Sequence, residues 1–146
     1  MKKLLSLVVA SVLALSLVAC GGGSAAPASE AEPTPEPIPD LSGDWEQSNK
    51  NSETSFHTAT IEGDVIEIYW TDTETDTKSL YWAGTFEAPT SADPYSWDSV
   101  NDTEKTASAL LASGDDTKTF TYEDGIISYE ASALGTTQTV KLEKVQ

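Results

Sequence analysis

Arginine is missing from the chain, and cysteine, histidine and methionine occur once each. All eight basic residues are lysines, set against 24 Asp and Glu, for a net charge of −16. A surface so poor in cations repels phosphate backbones, because nucleic-acid binding draws on Lys and Arg to release counterions. It also lacks the polybasic patch that holds proteins to anionic lipid. One cysteine, Cys20, leaves no internal disulfide, so the domain must fold on its core alone. One histidine, His57, and no Gly-x-Ser-x-Gly turn leave nucleophilic catalysis without its usual parts. Zinc would find a single His and otherwise only carboxylates. No cofactor is expected, and the chain reads as non-enzymatic.

What is present begins with a tripartite leader. Lys2 and Lys3 precede an uncharged, apolar run from Leu4 to Leu17. At about 14 residues the run fits a secretory h-region and falls short of the ~20 that a membrane-spanning helix needs. Leu17-Val18-Ala19-Cys20 then matches the lipobox of bacterial lipoproteins. That resemblance implies a diacylglyceryl thioether on Cys20 and cleavage between Ala19 and Cys20. It also implies residence on the outer face of the cell membrane. Two acyl chains suffice for stable attachment where one would be marginal. Loss of Lys2 and Lys3 leaves six lysines against 24 acids, a net of −18.

Three segments follow from this reading: a signal peptide (1–19), a lipidated tether (20–40) and a domain (41–146). The tether opens with Gly21-Gly22-Gly23-Ser24 and runs through Thr34-Pro35-Glu36-Pro37-Ile38-Pro39, which favours extended polyproline backbone and buries nothing. About 20 residues at ~3.1 Å each reach roughly 60 Å, so the domain works close to the membrane.

From Leu41 onward the apolar residues alternate with period two, and Thr, Val, Ile, Tyr and Trp are abundant. The pattern predicts strands at 43–47, 55–62, 64–72, 78–87, 95–100, 118–123, 126–132 and 137–143. Tight hairpins fall at Gly63-Asp64 and at Asp124-Gly125, the strongest turn signal in the chain. Ile66, Ile68 and Trp70 share one face, as do Leu80, Trp82, Gly84 and Phe86. The segment 103–113 has helix formers, a candidate cap in Asp102 and a stop at Gly114, and reads as a short helix or irregular connection rather than a strand. Eight strands joined mostly to their sequence neighbours predict an all-β meander, closed as a barrel or folded as a compact sandwich.

Two family resemblances attach to these residues. Leu41-Ser42-Gly43-Asp44-Trp45 resembles the Gly-x-Trp opening of the lipocalin and avidin superfamily, which implies an up-and-down barrel plugged at one end by Trp45. The lipobox, the Pro/Glu tether and runs such as Ser79-Leu80-Tyr81-Trp82-Ala83-Gly84 and Phe120-Thr121-Tyr122-Glu123-Asp124-Gly125 resemble small lipoproteins of Gram-positive bacteria and their prophages. These have no assigned activity. The likeness names a group and implies no mechanism; phage or envelope defence, with the DNA-entry machinery of an incoming phage blocked, is one form that binding at the cell surface would take.

Candidate chemistry is sparse. His57 reads as a surface or sheet-face residue rather than a general base. Asp72-Thr73-Glu74-Thr75-Asp76 spaces acids like the start of a calcium loop, but Thr77 replaces its glycine and Ala83 its closing Glu. No metal site is expected. Glu62, Asp64 and Glu67 are acids close in sequence, as any acidic protein offers, and give no glycosidase signal. Trp45, Trp70 and Trp82 read as core, whereas Tyr95 and Trp97, beside Pro94, are candidate binding residues together with Trp45. The reading is a membrane-tethered module that binds a protein partner. The alternative is a carrier of a small apolar ligand, its barrel lined by Ile66, Ile68, Trp70, Leu80, Trp82 and Phe86, with a cavity of at least ~300 Å³.

Overall fold

The computed structural model describes residues 36–133 and 135–146; the signal segment, Ala19, Cys20 and the tether up to residue 35 lie outside the described residues. Within them the chain is an all-β antiparallel meander. Its strands are β1 (Gly43–Gln47), β2 (Ser55–Glu62), β3 (Val65–Asp72), β4 (Thr77–Thr85), β5 (Tyr95–Val100), β6 (Thr117–Glu123), β7 (Ile126–Ala133) and β8 (Thr136–Lys144), with one short helix, α1 (Thr103–Thr106). The sheet order is β4-β3-β2-β1-β8-β7-β6-β5. β1 therefore pairs with both β2 and β8, joining the two halves of the chain into a nearly closed barrel.

The hairpin chemistry explains the register. Asp124 and Gly125 both adopt positive φ, at 53° and 82°, as a type I′ turn requires. The pairing Glu123↔Ile126 follows directly, and Phe120↔Tyr129 then sets both aromatic rings on the inner face.

The remaining gap lies between β4 and β5. A single bridge, Gly84↔Asn101, spans it, and the β5–β6 connection (101–116) straps the free edge of β4. Asp102 N–H donates to the Ala83 carbonyl (2.8 Å) and Ser113 N–H to the Tyr81 carbonyl (2.8 Å). Edge carbonyls that would otherwise invite another strand are thereby occupied. Inside the seam, Trp82 Nε1 donates to Ser99 Oγ at 3.0 Å, both residues fully buried.

Segment 103–113 is a short helix followed by turns. Asp102 caps α1, its carboxylate accepting from the Glu104 and Lys105 amides, but the helix ends at Thr106 and does not run on to Gly114. Lys105 reaches back to Glu67 on β3 (2.6 Å), holding the strap against the outer face of the sheet.

Inward positions fill the barrel. Ile66, Ile68, Trp82, Phe120, Ile127, Val140 and Leu142 expose nothing, so no space wide enough for water touches them. Phe86 joins this core and Trp70 packs on it half-buried. Leu80 does not belong to the lining. A bulge opposite Ile68/Tyr69 shifts the register, so that Ile68 faces Trp82 while Tyr69 faces Leu80. The extra residue, Tyr81, goes into the core in place of Leu80.

Candidate functional site

The barrel has two unlike ends. The chain enters at Leu41 and leaves at Lys144 on one of them, the near end, which the β2–β3 and β6–β7 hairpins also form. Trp45 plugs this end, 2% exposed, its indole N–H donating to the Leu41 carbonyl (2.9 Å). Tyr122 meets it edge-on, and Lys144 Nζ lies 6.0 Å over its ring.

Tyr95 and Trp97 belong to the same plug. Tyr95, Trp97 and Phe120 form a stack with centroids 5.8 and 5.0 Å apart, and Phe86 closes edge-on at 5.3 Å. Trp97 is 4% exposed and Tyr95 donates its hydroxyl to the Glu87 carbonyl. Trp45 and Trp97 thus face inward and offer a partner no surface. The prolines of the loop before Tyr95 and Trp97 suggest an open mouth, but the alternation of β5 turns Trp97 into the core.

Ile38, Val100 and Val145 are each more than half exposed, but it is Leu110 and Leu111 that border an apolar hollow, at the far end. There Trp70 of β3, Tyr81 of β4, Ser132 and Ala133 of β7, and Leu110, Leu111 and Ala112 of the strap surround a hollow of about 380 Å³. A second hollow of about 150 Å³ shares Trp70 and Ala133 and continues to Ala131, Thr136 and Gln138. Leu110 is fully exposed and Leu111 is 53% exposed. The strap holds them there: Ala109 N–H donates to Thr106, Ala112 N–H to Ala109, and Ser113 N–H to Tyr81. Burying a leucine is worth ~1.5–3 kcal/mol, so displaying two of them beside other apolar residues forgoes stability that a partner can recover.

Beneath the hollow lies a buried polar cluster. His57 exposes nothing; its Nδ1 is hydrogen-bonded to the Tyr129 hydroxyl, and its ring meets Trp70 at 3.9 Å edge-to-face and Tyr81 at 4.9 Å. Burial, reinforced by the Lys118 charge, pushes His57 down to about 4. It is therefore neutral at neutral pH, sharing one hydrogen bond between Nδ1 and the Tyr129 hydroxyl. Tyr129 is driven well above the ordinary phenol range, chiefly by burial. Lys118, only 6% exposed, is satisfied by Asp115 (2.9 Å) and the Glu130 carbonyl (3.1 Å), and its ammonium lies 5.5 Å over Tyr81 and 5.3 Å over Trp82. The cluster joins the barrel floor to the strap through Asp115. Replacing Tyr129 by Phe leaves His57 Nδ1 without a partner, and chemical denaturation should show a loss of about 1–3 kcal/mol with the fold retained.

Sequence reasoning placed His57 on the surface or a sheet face and missed Lys118. Both have a legible signal: His57 is in phase with Ala59 and Ile61, and Lys118 with Phe120 and Tyr122, all of them buried or half-buried. The calcium-like spacing serves the backbone: Asp72 Oδ1 accepts from the amides of Glu74 and Thr75 to form the β3–β4 turn. Glu67 is held by Lys105 and by the Tyr69 hydroxyl, which lower its pKa. Among the described residues, no group of three or more His, Cys, Asp or Glu converges as metal ligands would.

No protein-family model, curated protein or solved structure matches the chain. The functional reading therefore rests on its own residues.

Proposed function

We propose that the chain is a lipid-anchored, extracytoplasmic lipoprotein that acts without catalysis, as a module binding a protein at the cell surface through the far end of its barrel. The observation that carries this reading is the exposed pair Leu110–Leu111 beside the Trp70–Tyr81 hollow, flanked by backbone hydrogen bonds at Ala109, Ala112 and Ser113. The path of the chain supports it. Residues 36–42 arrive at the near end, so the tether that precedes them joins the domain away from Leu110 and Leu111 and leaves that surface unobstructed at its point of attachment. The lipoprotein resemblance supports an envelope component or an incoming phage as the source of the partner. The alternative, a carrier of a small apolar ligand within the barrel, draws no support from an axis packed with fully buried side chains.

Cross-linking on intact cells, followed by recovery of the protein, tests the reading. The lipidated protein should retain a discrete envelope or phage partner. Cys20→Ala should lose it by leaving the surface, and Leu110→Glu with Leu111→Glu should cut recovery about tenfold, the effect of removing a central apolar anchor. Tyr95→Ala, at the near end, should change nothing. Equal recovery with the leucine variant would overturn the assignment to the far end.

A further inference from the structure

We infer that the far end takes a cationic, amphipathic segment of its protein partner, with apolar side chains entering the Trp70–Tyr81 hollow and lysines or arginines meeting the surrounding carboxylates. This rests on the binding reading above and goes on to name the chemistry of the occupant. The hollow alone would accept any apolar group, so charge decides. The β1–β2 loop and the β3–β4 turn lie side by side, Thr73 N–H donating to the Thr54 carbonyl (2.8 Å). This loop and turn carry Glu53, Asp72, Glu74 and Asp76 at the far end, Asp72 two residues beyond Trp70 on β3, and the strap adds Asp115 and Asp116 three and four residues after Ala112.

The cations at this end offset few of these charges. Lys50 is bound to Glu46 (2.5 Å) and Lys118 is buried against Asp115, while Lys78 is exposed on β4. Asp72 and Asp115 are held below the ordinary aspartate range by hydrogen bonds, so both stay ionised at neutral pH. An apolar hollow within an acidic rim selects for the opposite sign on the partner and against its own kind. A second copy, itself at −18 once the leader is removed, brings further acid to the contact. An anionic bilayer is repelled for the same reason.

The test uses the mature chain from residue 20 with Cys20→Ser, kept in solution. The probe is a peptide of about 18 residues in which lysines and leucines are arranged so that the leucines share one helical face. Three comparison peptides are a scramble of it, a version with glutamate for lysine, and a shortened one without leucines. Binding is followed by tryptophan fluorescence and by amide and indole NMR shifts. The amphipathic basic peptide should bind, shift the Trp70 indole and weaken several-fold from about 0.05 to about 0.5 M salt. Leu110→Glu with Leu111→Glu should weaken it about tenfold, as should Glu74→Lys with Asp76→Lys. The acidic and leucine-free peptides should not bind.

Equal binding of the acidic peptide, or binding that ignores both variants, would overturn the inference. So would concentration-dependent self-association, or uptake onto phosphatidylcholine vesicles, that is lost with the leucine variant, since the occupant would then be a second copy or a lipid surface. If the basic peptide fails while the leucine variant still abolishes the cell-surface cross-link, the inference fails and the binding reading stands.

Discussion

Replacing Gly84 by alanine is expected to lower the stability of the domain by about 3 kcal/mol, the upper range for overpacking a tight site. The backbone angle is not the reason. A Cβ at Gly84 would press on Ser99 Oγ and lie 2.6 Å from the Val100 carbonyl oxygen and 2.7 Å from Trp82 Nε1. One of these is backbone, and another is the donor of the buried Trp82–Ser99 bond, so neither yields without breaking a contact at the seam. Gly84 is also the β4 residue that bridges to Asn101 and closes the barrel. Urea denaturation measures the loss, and hydrogen exchange should locate it at β4, β5 and the strap. Unchanged stability would mean that the β4–β5 seam is looser than its geometry indicates.

Acidification is expected to have an effect of similar size. His57 titrates near 6.5 in the unfolded chain and near 4 in the folded one. Between those values the unfolded state binds more protons, so stability rises with pH across the window and is lost as pH falls from about 6.5 to about 4. The full loss is about 3 kcal/mol. Glu67, Asp72 and Asp115, whose folded pKa values are lowered, act in a separate window. Their contribution is present above the ordinary carboxylate range and disappears below it. His57→Phe keeps the ring and removes the titration. Its stability at neutral pH should drop by about 1–3 kcal/mol, because the Tyr129 hydroxyl loses its partner. Its stability should then stay level down to about pH 4.5. The same slope in both proteins would show that another group carries the acid sensitivity.

The meander is largely legible in the sequence, because strand alternation and turn chemistry point the same way. Ile66, Ile68 and Trp70 on β3 are followed by a turn and then by Trp82, Gly84 and Phe86, and the Asp124-Gly125 hairpin fixes a register without tertiary help. Two features escaped. The bulge that turns Tyr81 inward adds one residue to an otherwise clean alternation, and nothing local marks it; it emerges from pairing with Ile68 and Tyr69 and from the strap bond at the Tyr81 carbonyl. The candidate site escaped for a related reason. Leu110 and Leu111 sit in a run of small residues and helix formers without usable periodicity, so composition alone suggests burial. Their exposure follows from where the strap is pinned, at Asp102 and Ser113, which only the closed barrel brings together on β4.

The aromatics nearest a proline and those nearest the strap have different roles. Trp97 and Trp45 stabilise the near end. Trp70 and Tyr81 share the hollow's walls with two exposed leucines and rest on the His57–Tyr129 pair. On the proposed reading, stability and recognition are coupled at one end of the barrel: conditions that protonate His57 loosen the floor on which the hollow stands.

Site-specific photocross-linking in living cells tests the central claim most directly. A photoreactive residue is placed at Leu110, at the far end, or at Glu123, in the near-end hairpin, of the lipidated protein. The expected result is a discrete, saturable adduct from position 110 and none from position 123. Adducts from position 123 alone, or indiscriminate labelling from both, would contradict the assignment of the far end as the binding surface.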